Sequence, residues 1–161
     1  METYLGHRRK ASRYLHVADH MIYMTYNVVG DPKLLLSVMD IIFLSLTNAV
    51  TSVLEYAYKY KIIPQVPQGF EAKFMLFKDL GAKYGVDEMF LFMLRDVKDT
   101  IYEHKTSPVE FRRKDKYVIC SDSYEMKTIS LDQIKEYIRQ TRDFIKLTEK
   151  ITSNKQLKNA A

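Results

Sequence analysis

The chain has 161 residues, 47% hydrophobic and 28% charged, a composition that suits one folded domain able to bury a core without staples. A formal net charge of +5 permits an anionic partner without requiring one, and the single cysteine, Cys120, excludes an intramolecular disulfide and any multi-cysteine zinc site. The opening residues, through Tyr4, Leu5, Arg8 and Arg9, hold no apolar run of the kind a signal peptide needs, so a reducing cytoplasm is the expected location.

In chain order, the first helix is expected from residue 4 or 8 to residue 29, with Ala11, Leu15, Ala18, Ile22, Val28 and Val29 in its inward stripe. Gly30 fits the left-handed position that ends a helix, and Asp31-Pro32 restarts the chain at once, Asp as cap and Pro at the first helical position. The second helix then continues to about residue 61 and closes before Pro64. Residues 34–54 have the length of a membrane span. However, Ser37, Asp40, Thr47, Thr51 and Glu55 recur at helical spacing and draw one polar stripe, which suits a central bundle helix and no membrane contact. Tyr56, Tyr58 and Tyr60 cannot all face one core, so at least one is exposed.

Two prolines and a glycine make residues 62–69 a loop. A third helix follows over 70–84, with Phe70, Phe74, Phe77, Leu80 and Tyr84 on one side. Gly85 stops it, and Asp87 caps a fourth helix over 87–104 whose core face is Phe90, Leu94, Val97 and Ile101. Ser107-Pro108 ends that helix. Period-two alternation over 116–121 and 124–129, around Asp122-Ser123, reads as a β-hairpin. Ser130 to Gln133 spells a capping box for the last helix, which runs to about residue 151 through Ile134, Tyr137, Ile138, Thr141, Ile145 and Thr148. The expected organisation is one domain over 1–152, with 153–161 as a frayed tail.

Three groups of polar residues bear on chemistry. His16, Asp19 and His20 spell H-x-x-D-H, and two histidines four residues apart on a helix can share a metal. The zinc-peptidase pattern has Glu where Asp19 stands, and no third ligand is nearby, so no metal site is expected. The pairs Arg9/His16 and Arg13/His20 each leave six residues between, and each pair falls on one side of the helix. The junction at 95–119 is richer. It holds Arg95, His104 at a helix end, and the cluster Arg112, Arg113, Lys114 and Lys116 next to Lys105. A histidine at a helix end can act as acid or base near neutrality, or simply sit as a cation favoured at a helix C-terminus. The basic cluster can bind phosphate or solubilise a ribbon edge, and Glu110 and Asp115 dilute it. The chain has no glycine-rich phosphate loop, no nucleophile elbow and no Cys/His pairing of the hydrolase kind.

A long helical hairpin, two more helices, an Arg/His junction and a closing helix, taken in that order, resemble the HEPN superfamily. These are small α-helical proteins, often dimers, and many act as metal-independent ribonucleases or as partners of nucleotidyltransferases in toxin–antitoxin and defence systems. The resemblance covers about residues 8–150. Together with the elements read above it gives a mainly α, up-down bundle of about five helices, in which the β-hairpin at 116–129, before the last helix, is an insertion on the family's plan. Active members carry Arg, four to six residues, then His, whereas Arg95 and His104 are separated by eight. That departure favours a non-catalytic or degenerate module that binds RNA or a protein partner as a homodimer and needs no cofactor. The alternative is a metal-independent ribonuclease, with His104 as acid or base toward a ribose 2′-OH and Arg95 or Arg112 stabilising the phosphorane. A further alternative is a metal-binding protein centred on His16 and His20.

Overall fold

The computed structural model describes residues 3–153 and is mainly helical, with one small antiparallel sheet. The tail expected beyond residue 153 lies outside the described residues. Thr3 opens α1 (Tyr4–His20) by accepting a hydrogen bond from the Gly6 amide on its hydroxyl oxygen. A π turn, Met21–Thr25, carries the rod into the short α2 (Tyr26–Val29). Sequence reading missed that turn. Its extra residue shifts the inward stripe, so Tyr26 takes the buried position after Ile22. Val28 and Val29, expected inward, are 87% and 59% exposed.

Gly30, at φ 67°, ends the rod as expected, and its amide donates to the Tyr26 carbonyl at 2.8 Å. The Asp31 carboxylate then accepts from the Lys33 amide at 2.9 Å and starts the turn that becomes α3 (Leu34–Lys59). α3 is the hub. It packs against α1, against α4 (Phe70–Lys83), against α5 (Glu88–Thr106) and against α6 (Leu131–Ser153). Leu35, Ile42, Leu46 and Leu54 on it are fully buried, and Ser45 donates its buried hydroxyl to the Ala11 carbonyl at 2.7 Å. Among the described residues α3 is the one helix long and apolar enough to cross a membrane, and 56% of its most apolar window is buried in this fold.

Asp87 caps α5 by accepting from the Met89 amide at 2.9 Å. Ser130 caps α6 by accepting from the Gln133 amide at 3.2 Å. The expected reciprocal bond gives way to a local one, because the Gln133 side chain donates to the Tyr137 hydroxyl instead. Of the Tyr56, Tyr58 and Tyr60 set, Tyr56 is fully buried and Tyr58 is exposed.

Between α5 and α6 lie β1 (Val109–Arg113), β2 (Lys116–Cys120) and β3 (Met126–Ile129), in the order β1-β2-β3. The expected hairpin is the β2–β3 pair, but the sheet has three strands. Val109–Arg113 pairs with β2 in register from Val109 opposite Cys120 to Arg113 opposite Lys116. Its three charges hid an alternation of Val109, Phe111 and Arg113 that shares a face. One hydrophobic core runs from Ala11 to Ile151 and takes in Tyr117, Ile119 and Ile129 from the sheet.

Candidate functional site

α5 runs unbroken through both Arg95 and His104, so the nine residues from one to the other span two and a half turns and set the side chains on opposite sides. Arg95 faces α4. Its guanidinium meets the Glu71 carboxylate through two hydrogen bonds, of 2.6 and 2.9 Å, and lies over the Phe74 and Phe70 rings at 4.5 and 5.5 Å. Those hydrogen bonds hold the Glu71 carboxyl below the usual carboxylate range and raise the guanidinium further.

His104 faces the sheet. Its Nδ1 lies 2.5 Å from Glu110 Oε1, and Tyr117 donates its hydroxyl to Glu110 Oε2 at 2.9 Å. One carboxylate therefore ties the last turn of α5 to β1 and β2. Burial pushes the Tyr117 phenol up, and its hydrogen bond to Glu110 adds to the rise. Ser107, where the helix ends, lies with its hydroxyl 2.6 Å from the Cys120 carbonyl and 2.8 Å from that of Val109. It closes the junction against the two strands.

The two faces of the sheet differ in kind. Side chains alternate across a strand, so Glu110, Arg112, Tyr117, Ile119, Lys127 and Ile129 share the inner face. Polar members there dock on the helices: Lys127 pairs with Asp96 of α5 at 2.8 Å, and Arg112 reaches Asp31, at the α2–α3 turn, at 3.6 Å. The outer face carries Val109, Cys120 and Met126 in one row, Phe111, Val118 and Thr128 in the next, and Arg113 with Lys116 at the end. Val109, Phe111 and Met126 are exposed, while Val118, on the central strand between its neighbours, is buried apart from the main core.

The residues singled out in the sequence thus scatter. Arg95 is turned to α4, and His104 to the sheet. Arg112, grouped with the basic cluster by sequence, lies on the other face of the strand and pairs with Asp31 while its side chain stays exposed. Arg113, Lys114 and Lys116 are exposed at the hairpin tip, with no ion-pair partner among the described residues, and Lys105 is exposed on the last turn of α5. Of the two acids expected to dilute this cluster, Glu110 faces away from it on the inner face, and Asp115 is exposed in the turn between Lys114 and Lys116. Glu110 binds His104 and Tyr117, and Asp115 lies close enough to Tyr26 to help raise its phenol, a rise led by burial. His16 and His20 are exposed, and the intervening Asp19 is taken by Arg142 at 3.1 Å. No group of three metal-ligating side chains gathers among the described residues.

Sequence reading named Glu110 only as a charge that dilutes the basic cluster, and it missed the parts that Tyr117 and Phe111 play at the junction. Recognising Val109 to Arg113 as a strand brings out Glu110 and Phe111, since it separates Glu110 and Arg112 from Phe111 and Arg113, and the pairing of Arg112 with Tyr117 then sets Tyr117 on the face of Glu110. Comparison of the chain with protein-family models, with curated proteins and with solved structures returns no match.

Proposed function

We propose that the chain is a HEPN-like, up-and-down helical bundle that binds single-stranded RNA on the outer face of its sheet, as a homodimer in the cytoplasm, without cleaving it. The observation that carries this reading is the composition of that face. The exposed ring of Phe111 lies one row from Arg113 and Lys116, with Lys114 beside them in the turn. An aromatic ring stacks on any base, and exposed Arg and Lys neutralise phosphates on either side of it. The net charge of +5 points the same way. The order of elements supports the family assignment, and the opposed directions of Arg95 and His104 favour binding over chemistry. Phosphodiester cleavage needs an acid or base and a charge stabiliser at one phosphate.

The test is fluorescence anisotropy with a labelled 20-nucleotide RNA over a salt series. Three phosphate contacts predict a log–log salt slope of about −2 for a single strand. Phe111→Ala is expected to weaken binding by about 1–3 kcal/mol, the worth of one stacked base. Arg113→Glu with Lys116→Glu should remove most of the salt dependence. RNA that stays unbound at low salt, or binding untouched by all three substitutions, overturns the reading. Cleavage of the RNA that disappears in His104→Ala would favour the ribonuclease instead.

A further inference from the structure

A cavity of about 310 Å³ opens between α1, α3, the start of α4 and α5, with no residue of the sheet in its described lining. Its walls divide cleanly. Phe43, Phe70, Phe74 and Leu94 supply the apolar part, and His7, Thr47, Asn48, Thr51 and Lys73 supply the polar part. The polar groups converge from elements far apart in sequence. His7 Nδ1 of α1 lies 3.0 Å from Asn48 Oδ1 of α3, and Lys73 Nζ of α4 donates to Thr51 Oγ1 of α3 at 3.3 Å. Thr51 is only 6% exposed, and it donates to no acceptor among the described residues.

Among the described lining residues the charge is one-sided. They include the Lys73 ammonium and no carboxylate. Gly69 and Phe70, also in the lining, begin α4, and no described side chain caps that helix. The first amides of α4 therefore add partial positive charge at the same place. Cations hold the aromatic rings, with Arg95 over Phe70 and Phe74 and Lys98 Nζ 5.7 and 5.9 Å from the Phe70 and Phe43 centroids. Ligand pockets take this form: a mostly apolar chamber with a few convergent polar groups.

We infer that this cavity is a binding site for a small organic anion, one carboxylate or phosphate on a single-ring apolar body. The anionic group sits against Lys73, Thr51 and the start of α4, and the ring packs on Phe43, Phe70 and Leu94. The volume, near the lower end of the range for ligand pockets of about 300–1,000 Å³, limits the body to about one ring. Neither Phe111 nor the basic hairpin takes part, so the site stands whether or not the sheet binds RNA.

Amide-resolved NMR titration of the full chain with benzoate and, separately, with phenyl phosphate tests the inference, with benzylamine and benzyl alcohol as matched probes. Saturable shifts at Gly69, Phe70 and Lys73 are expected for at least one anion, and the tighter of the two identifies the acid group. Benzylamine should bind at least ten-fold more weakly. Lys73→Met should weaken the anion at least ten-fold. Thr47→Met, which fills the chamber from a position whose hydroxyl bonds only its own helix, should block every probe. No saturable shift with either anion, equal binding of the amine, or unchanged anion affinity in both variants overturns the site. Should Lys73→Met lose its folded spectrum, Lys73→Gln replaces it and is held to the same ten-fold loss.

Discussion

Glu110 is 17% exposed and uses both oxygens, one toward His104 and one toward the Tyr117 hydroxyl, which sets what its removal does. Glu110→Ala strands a hydroxyl on a residue only 7% exposed and leaves the imidazole without its carboxylate. The expected cost is about 1–3 kcal/mol, read from urea unfolding followed by circular dichroism. A cost below about 0.5 kcal/mol would show that water replaces the carboxylate at no penalty. Two tyrosines, one of them in this network, set an alkaline limit. The Tyr26 and Tyr117 phenols are both raised above their ordinary value of 10.0, chiefly by burial. A raised phenol means that folding favours the neutral form. Its contribution is therefore complete below the unfolded value, near pH 10, and is lost as pH rises through the folded one. Stability should fall above pH 10, and absorbance titration at 295 nm should show Tyr26 and Tyr117 among the tyrosines that ionise late. Tyr117→Phe should remove one late step and flatten the decline. A titration in which all tyrosines ionise together near pH 10 would contradict the burial of these two.

Elements are joined by contacts that helix propensity alone misjudges, and the end of α4 shows it. Gly81 lies inside α4, where alanine is better by as much as about 1 kcal/mol. A Cβ there would stand 3.0 Å from Val86 Cγ2 and 3.1 Å from Val86 Cβ. The Val86 amide also donates to the Gly81 carbonyl at 3.0 Å, so that backbone is held and its branched Cβ cannot swing away. Overpacking of this kind costs about 1–3 kcal/mol and outweighs the propensity gain. Gly81→Ala should lower the melting temperature, and adding Val86→Ala should recover part of the loss, a coupling that a double-mutant cycle measures. The helices were legible because their signals are local. All six core positions expected on α6, from Ile134 to Thr148, are buried, and Gly30 and Asp87 terminate and cap as their chemistry dictates. What stayed hidden depends on partners distant in sequence. Val109–Arg113 looks like a charged loop until β2 lies beside it, and the chamber at Lys73 exists only where His7, Asn48 and Gly69 come together. The polar stripe on α3 was its one visible trace, since Thr47 and Thr51 belong to it.

For the whole molecule, the question is how a helix with the hydropathy of a membrane span is disposed of. α3 answers on each side. Ile42, Leu46 and Leu54 are covered by neighbouring helices, and the buried Ser45 and Ser52 hydroxyls donate to backbone carbonyls of Ala11 and Ala49. The polar stripe sorts itself by surroundings. Ser37 and Asp40 face water, while Thr51 takes the Lys73 ammonium. Pulling α3 into lipid would expose Asp40 to hydrocarbon at a cost of about 2.5–3.5 kcal/mol, and it would strip the core from α1, α4, α5 and α6 together. Replacing a fully buried hub side chain shows how much rests on this helix. Leu46→Ala should cost about 2–5 kcal/mol, a large part of the roughly 5–15 kcal/mol that holds a domain of this kind. The corresponding cellular measurement is alkaline carbonate extraction of membranes from cells expressing the chain. Release into the supernatant is expected, and Leu46→Ala should shift the chain toward aggregates without moving it into lipid. Parent protein that resists carbonate and floats with vesicles would mean that α3 leaves the bundle for the bilayer, and the hub described by Ser45, Ile42 and Leu46 would not be its working state.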